Sequence, residues 1–379
     1  MRIKINVYTI LFDVTLFCIF ILPVHEFELK GFILDKYIFL GLVIFVYGYF
    51  LIKTHVASLI EMAILIFAIF FCFIRKDVSF LHVISIALIY KLIINEDNLN
   101  HIKECIVTSV MPYISLLFVG VYSFYYFGAE GRFLHTAVYD PNMSGLSLFC
   151  LFTIIREKNR TFGNLLLLLG VVTFSKSYML ALLLFYLFEL LNSKNKAFSI
   201  NYGILSLLSI ALMVILSSIF IIKENAGQLH TYAEGFNRFF VLFDYSNYFR
   251  FTLNTNVIYI YKKFPSKLLT GIPNEEFFHL NYLASSANDI IYRRIRPHNY
   301  FFAYFQIYGI WCIPIFVYTY KTFKQVTNKS NNSIAFPIFL YLVFLGIGAT
   351  NYWLYLSIFT LIISTDFAYL KRDNCYNGS

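Results

Sequence analysis

The sequence predicts an all-α integral membrane protein of about twelve transmembrane helices with one long extramembrane loop, and three observations predict it. Hydrophobic residues make up 59% of the 379. Charged residues make up 13%, against roughly 25% in a soluble domain, and the mean hydropathy is +0.69. Apolar runs of about 17–25 residues, the length that crosses a bilayer core, recur between polar clusters. They fall near 5–24, 32–52, 56–74, 78–94, 106–127, 139–155, 161–175, 176–192, 202–222, 299–320, 334–350 and 352–370.

The first run has no small-residue cleavage site after Ile21-Leu22-Pro23, so it is expected to remain as a helix rather than be removed as a signal peptide. Residues 161–192 are continuously apolar except at Ser175-Lys176-Ser177, which predicts a hairpin of two short helices. The chain then divides into a bundle of about nine spans (1–222), a loop (223–298), three closing spans (299–370) and a tail (371–379), all one integrated domain. The loop is too rich in aromatic and aliphatic residues to be a disordered linker and is expected to fold onto the bundle. Within it, apolar spacing over 247–263 predicts an amphipathic helix lying at the membrane interface and ending before Pro265. The 44 Phe and 30 Tyr serve helix packing and interfacial belts.

The net charge of +9 does not point to nucleic acid, because the basic residues are scattered over short loops and no nucleic-acid-binding signature interrupts the spans. Membrane topology accounts for most of it. With the N-terminus inside, the inner ends and loops carry Arg2, Lys4, Lys53, Lys103, Arg156, Lys158, Arg160, Lys194, Lys321 and Lys371 among others. The outer short loops carry only Lys30, Lys36, Arg75, Lys76, Arg132 and Lys176. This bias predicts both termini in the cytoplasm and the long loop outside. Cys18, Cys72, Cys150 and Cys312 fall in spans and Cys105 and Cys375 on the inner side, which supports neither a disulfide framework nor a Cys-based zinc site. No internal repeat of the kind many transporters carry is evident.

Ionisable groups in or near spans are costly. Asp13 and Glu61 read chiefly as structural partners inside the bundle, while Lys91, Glu189 and Asp366 lie near helix ends and can snorkel. Four patches share the outer side. Arg132 is followed by Asp140-Pro141-Asn142, where Asp140 or Asn142 can cap a helix and Pro141 fixes the turn. Lys176 interrupts the apolar hairpin. Arg250 sits among aromatics in Asn247-Tyr248-Phe249-Arg250-Phe251, on a helix that needs basic residues to lie on anionic lipid in any case. Finally, Arg293-Arg294-Ile295-Arg296-Pro297-His298-Asn299 runs into an apolar helix. It reads either as a basic lipid-facing segment or as guanidinium forks and a helix N-terminus that bind a diphosphate. His298 is the side chain there that exchanges a proton near neutral pH.

Together these patches resemble the O-antigen ligase and polymerase superfamily, over roughly residues 120–320. His298-Asn299-Tyr300-Phe301 with Gly309-Ile310 resembles its His-Asn-x-x-Leu and downstream Gly-x-x-Gly pattern, with Phe301-Phe302 in place of the leucine. Arg132 before Asp140-Pro141-Asn142 is similar to its Arg and Pro-Asn pair, Ser175-Lys176-Ser177 to its Ser-Arg-Gly/Ser turn with Lys for Arg, and Arg250 before Pro265 and Gly271 to its loop arginine and Pro-x-x-Gly segment. The resemblance implies a GT-C-like helical membrane architecture in a bacterial inner membrane, with the loop periplasmic. It further implies a glycosyltransferase acting on undecaprenyl-pyrophosphate-linked oligosaccharide donor and acceptor, within membrane lipid, with a chain-length regulator protein as a further partner. No cofactor and no metal are expected: the outer loops hold no Asp-x-Asp for a divalent ion and no Gly-rich phosphate cradle.

On this resemblance Arg132, Lys176 and Arg250 bind the pyrophosphate, assisted by Arg293, Arg294 and Arg296. Asp140, Asn142 and Asn299 support them, and His298, with Arg250, is catalytic. Lys176 is the main departure, because Lys cannot make a bidentate pair with phosphate. A Wzy-type O-antigen polymerase is the expected function; a ligase passing polymer to lipid A-core is the alternative. A lipid-linked oligosaccharide flippase has less need of a folded loop of this size.

Overall fold

The computed structural model describes residues 6–22, 28–29, 32–54, 59, 62–63, 66–67, 69–70, 80–93, 96–130, 141–173, 175–192, 200–230, 241–280, 297, 299–327, 330–345 and 352–365. Those residues are predominantly helical. The chain divides into two compact units, Met1–Phe198 with Lys321–Ile338 and Thr350–Ser379, and Ser199–Tyr320 with Phe339–Ala349.

The first unit opens with α1 (Val7–Leu16), whose N-terminal Tyr8 N–H is accepted by the Asn6 side chain at 3.0 Å. It continues into a π-helical turn, Phe17–Ile21, and stops at Leu22, which is extended at φ −80° and ψ 112°. Pro23 follows, and a residue before proline is driven out of the helical region. A short antiparallel hairpin, β1 (Glu28–Leu29) and β2 (Phe32–Ile33), precedes α2 (Leu34–Thr54). It departs from the all-α expectation; two residues that include Gly31 separate its strands. Next come α3 (Phe80–Ile93), α4 (Glu96–Thr108) and α5 (Met111–Glu130). The axis bends by 53° between α4 and α5, where Pro112 cannot donate a helical N–H and the Ser109 hydroxyl accepts from Met111 N–H instead. The same Ser109 donates to Asp13 at 2.6 Å, so Asp13 has the structural partner expected of it, while Glu61 lies outside the described residues.

The apolar stretch 161–192 is two helices, α7 (Arg160–Val171) and α8 (Lys176–Asn192), which follow α6 (Pro141–Lys158). Gly170 makes the hairpin close: a Cβ there would collide with the Tyr178 ring, whose hydroxyl donates to the Leu167 carbonyl at 2.7 Å.

In the second unit, α9 (Tyr202–Asn225) is followed by α10 (Tyr245–Lys263), α11 (Lys267–Thr270), α12 (Asn274–Leu280) and α13 (Tyr300–Tyr308). Helix α9 buries Ser206, Ser209, Met213 and Ser217 and exposes Leu207, Leu208, Ile215 and Ile222. This is the reverse of a water-soluble amphipathic helix. Small residues at the helix contact and aliphatic residues outside suit lipid as the surrounding solvent. α14 (Cys312–Thr327) and α15 (Asn332–Leu345) follow, each divided between the two units, and α16 (Tyr352–Ile363) belongs to the first. There α16 is buried from Trp353 to Ile363; the Trp353 indole N–H donates to Ser147 at 3.0 Å and Phe359 packs edge-on against Phe12. A helix apolar all round belongs at the centre of its bundle.

By length and composition, two helical stretches among the described residues can cross a bilayer, Tyr202–Asn225 and Tyr300–Val317, or three if the bent pair Leu99–Thr108 and Met111–Ser123 is one span. Other apolar helices are shorter, among them Val7–Ile21, Gly41–Lys53 and Arg160–Val171. These are fewer than the twelve or so apolar runs of the sequence, since the other apolar helices among the described residues are too short to cross a bilayer on their own.

Candidate functional site

Helix α10 carries Arg250. It starts where Asp244, in extended conformation, accepts the Asn247 N–H at 2.7 Å, and it ends at Phe264 because Pro265 follows. Lys262 and Lys263 sit in its last turn, where cations complement the helix dipole. Its buried face is not the plain apolar stripe expected of an amphipathic interfacial helix. Tyr248, Leu253, Val257 and Ile260 share it with Thr252, Asn254 and Asn256, all buried. Buried amides persist where they have hydrogen bonds to make, and Asn254 makes them. Its Nδ2 donates to the Arg250 carbonyl at 3.1 Å, and its Oδ1 accepts the Asn299 backbone N–H at 3.2 Å. Asn254 thus ties the turn that bears Arg250 to the residue after His298.

Asn299 is the N-cap of α13, and its Oδ1 accepts from Phe301 N–H at 2.9 Å and Phe302 N–H at 3.3 Å. The cap itself thus occupies two of the N–H groups at this helix start. The Asn299 amide also reaches Ser209 on α9 at 3.5 Å. Arg250 is half-buried, and its guanidinium has no ion-pair partner among the described residues.

The segment after α10 is clamped to the end of α13. Ile272 N–H donates to the Gln306 carbonyl at 2.7 Å, and the Gln306 amide donates to the Ile272 carbonyl at 2.9 Å. The Tyr261 hydroxyl donates to the Phe305 carbonyl at 2.6 Å, and the Trp311 indole donates to the Leu269 carbonyl at 3.0 Å. Gly309 ends α13 at φ +59°, and a Cβ there would strike the Leu268 carbonyl oxygen. Both the left-handed backbone and the close approach therefore require glycine. The Arg250 patch, the Pro265–Gly271 segment and the Asn299–Gly309 helix, separate in sequence, form one hydrogen-bonded assembly.

In the first unit, Pro141 is the opening residue of α6, the position where a missing N–H costs nothing. Asn142 therefore lies within the first turn and is not the cap; it is buried, and its Oδ1 accepts the Ser175 hydroxyl at 2.9 Å. The same Ser175 oxygen accepts Tyr178 N–H at 3.3 Å at the start of α8, whose first residue is Lys176. The Asn142 and Ser175-Lys176-Ser177 patches thus meet. Arg132, Asp140, Arg293, Arg294, Arg296 and His298 lie outside the described residues. Among the described residues, no group of three His, Cys, Asp or Glu is arranged to hold a metal.

Sequence reasoning missed Asn254, Ser209 and Gln306. The signal was present: Asn247, Arg250 and Asn254 are spaced to share one helix face, a polar stripe inside an otherwise aromatic segment. Glu189, in the last turn of α8, pairs with Arg156 at 3.1 Å. Lys91 is buried, and Asp366 lies outside the described residues.

What fold and site define together is a helical protein with a few helices fit to cross a membrane and a polar junction between α10 and α13. No family model, no curated protein and no solved structure matches the chain.

Proposed function

We propose that this chain is a membrane glycosyltransferase of the O-antigen polymerase type, moving a growing glycan from undecaprenyl pyrophosphate to a lipid-linked repeat unit. The observation that carries the reading is the Asn254 junction, because it joins the helix bearing Arg250 to the residue that follows His298. The Asn142–Ser175 hydrogen bond, which joins two more patches of the resemblance, supports it further.

In this reaction an acceptor hydroxyl oxygen attacks the anomeric carbon of the donor glycan, and the bond from that carbon to the phosphate oxygen breaks. The pyrophosphate leaves with the bonding electrons. Arg250, with Arg132 and Lys176, stabilises the charge that develops on it; guanidinium forks suit this task better than an ammonium. His298 either accepts the hydroxyl proton or donates a hydrogen bond to phosphate. The two roles predict opposite pH profiles. A base must be neutral, so the rate rises through an imidazole pKa near about 6.5; a cationic donor makes it fall.

The test is replacement of His298 by Ala at unchanged protein level, followed by a lipopolysaccharide gel. Lipid A-core bearing a single repeat is the expected result. Bare core, with polymer accumulating on the carrier lipid, assigns the chain to the ligases instead, and an unchanged ladder removes the enzyme reading.

A further inference from the structure

A second polar site lies in the first unit, where a cleft of about 1060 Å³ opens between α4, α6 and α8. It is slightly larger than ordinary ligand pockets, about 300–1,000 Å³. Lys103, Glu104, Arg156, Glu157, Arg160 and Glu189 line it, in a chain only 13% charged. Such a gathering is costly unless the charges are paired or used.

Four of the six pair with each other. Arg156 meets Glu189 at 3.1 Å and lies over the Phe185 ring at 5.0 Å, while the other Glu189 oxygen accepts the Ser333 hydroxyl at 3.1 Å. Lys103 stands 3.9 Å from Glu157 and donates to the Thr365 carbonyl at 2.9 Å. Arg160 and Glu104 take no part in these two pairs. Arg160, exposed at the first position of α7, has no ion-pair partner among the described residues. Exposed Glu104 faces the His101 imidazole at 3.7 Å. Phe152, Phe185, Ile334 and Ile363 lie buried behind these charges.

We propose that this cleft binds the phosphoethanolamine group of a phospholipid, with Arg160 on the phosphate and Glu104 on the ammonium. A guanidinium fork matches phosphate geometry. The Glu104 carboxylate lining the same cleft disfavours a purely anionic headgroup and favours one that also carries a hydrogen-bonding cation. Free phosphoethanolamine presents the same two charges. The site is independent of the glycosyl-transfer reading.

Two measurements test it on the purified full-length protein. Native mass spectrometry reads the lipid retained from bilayers of equal phosphatidylethanolamine, phosphatidylcholine and phosphatidylglycerol. Calorimetry titrates soluble phosphoethanolamine, phosphocholine and inorganic phosphate. Preferential retention of phosphatidylethanolamine is expected, falling about tenfold, equivalent to about 1.4 kcal/mol, in both Arg160→Gln and Glu104→Gln. Both side chains are exposed, and an unchanged melting temperature verifies that the variants fold. Binding of soluble phosphoethanolamine without lipid retention supports the same chemistry from a free ligand. Equal retention of all three lipids with no soluble binding, a preference for phosphatidylglycerol, or retention unchanged in both variants overturns the proposal.

Discussion

Asn254 carries more of the candidate site than any side chain legible in the sequence. Replacing it with Leu leaves the buried Asn299 N–H without its acceptor, at a cost of about 1–3 kcal/mol. The expected result is a lower melting temperature together with loss of polymer. Arg250→Lys keeps the charge and loses the fork, so it should leave stability unchanged and slow transfer by about tenfold or more. In vitro elongation of lipid-linked repeats measures that loss. Tyr248, on the same helix, answers to alkali. Burial, then the nearby Glu224 and Tyr245, push its hydroxyl from 10.0 up to about 12. The folded state therefore holds this proton where the unfolded chain has released it. The resulting stability is intact below pH 10, declines as pH rises towards 12, and is lost above that. Tyr248→Phe should flatten that part of an alkaline denaturation curve, and an identical slope in both proteins excludes Tyr248 as its source.

Helices were legible wherever a local stop accompanied an apolar run. The end of α10 before Pro265 and the break between α7 and α8 at Ser175 are of this kind, because proline and short polar turns act on their own neighbours. The reason for Gly309 was not legible, since the Leu268 carbonyl that it admits lies in a different element. Gly309→Ala is expected to cost more than the roughly 1 kcal/mol of an ordinary helix-end glycine, because strain and collision add. Thermal unfolding measures it, and a loss below that figure shows that the α11 segment moves aside freely. The Asn299 cap teaches the same lesson. Its place where the apolar run begins was legible, but its contacts with Asn254 and Ser209 depend on how three helices pack.

Across the whole molecule, the prediction concerns topology. Single cysteines introduced at the termini should react only with permeant reagents, and those placed in 223–298 with impermeant ones, if the Lys/Arg bias sets orientation. The reverse pattern inverts the chain and moves the Arg250 assembly to the cytoplasmic side. Helix α9 argues for the bilayer on grounds other than hydropathy. Ser206, Ser209 and Ser217 face inward while Leu207, Leu208, Ile215 and Ile222 face outward, an arrangement that water penalises and hydrocarbon does not.

Composition and apolar run length were enough to define a helical, membrane-fit chain, because transfer of side chains to hydrocarbon is a sum over residues and needs no knowledge of packing. Arg250, Lys176, Asn142 and Asn299 were likewise legible as candidates, since each stands out chemically in an apolar or aromatic setting. What required the folded molecule was which of them meet: Asn142 with Ser175, and the Arg250 turn with Asn299 through Asn254. Hydrogen bonds of about 3 Å between residues 33 to 45 positions apart depend on helix packing, for which no local pattern in the chain stands proxy.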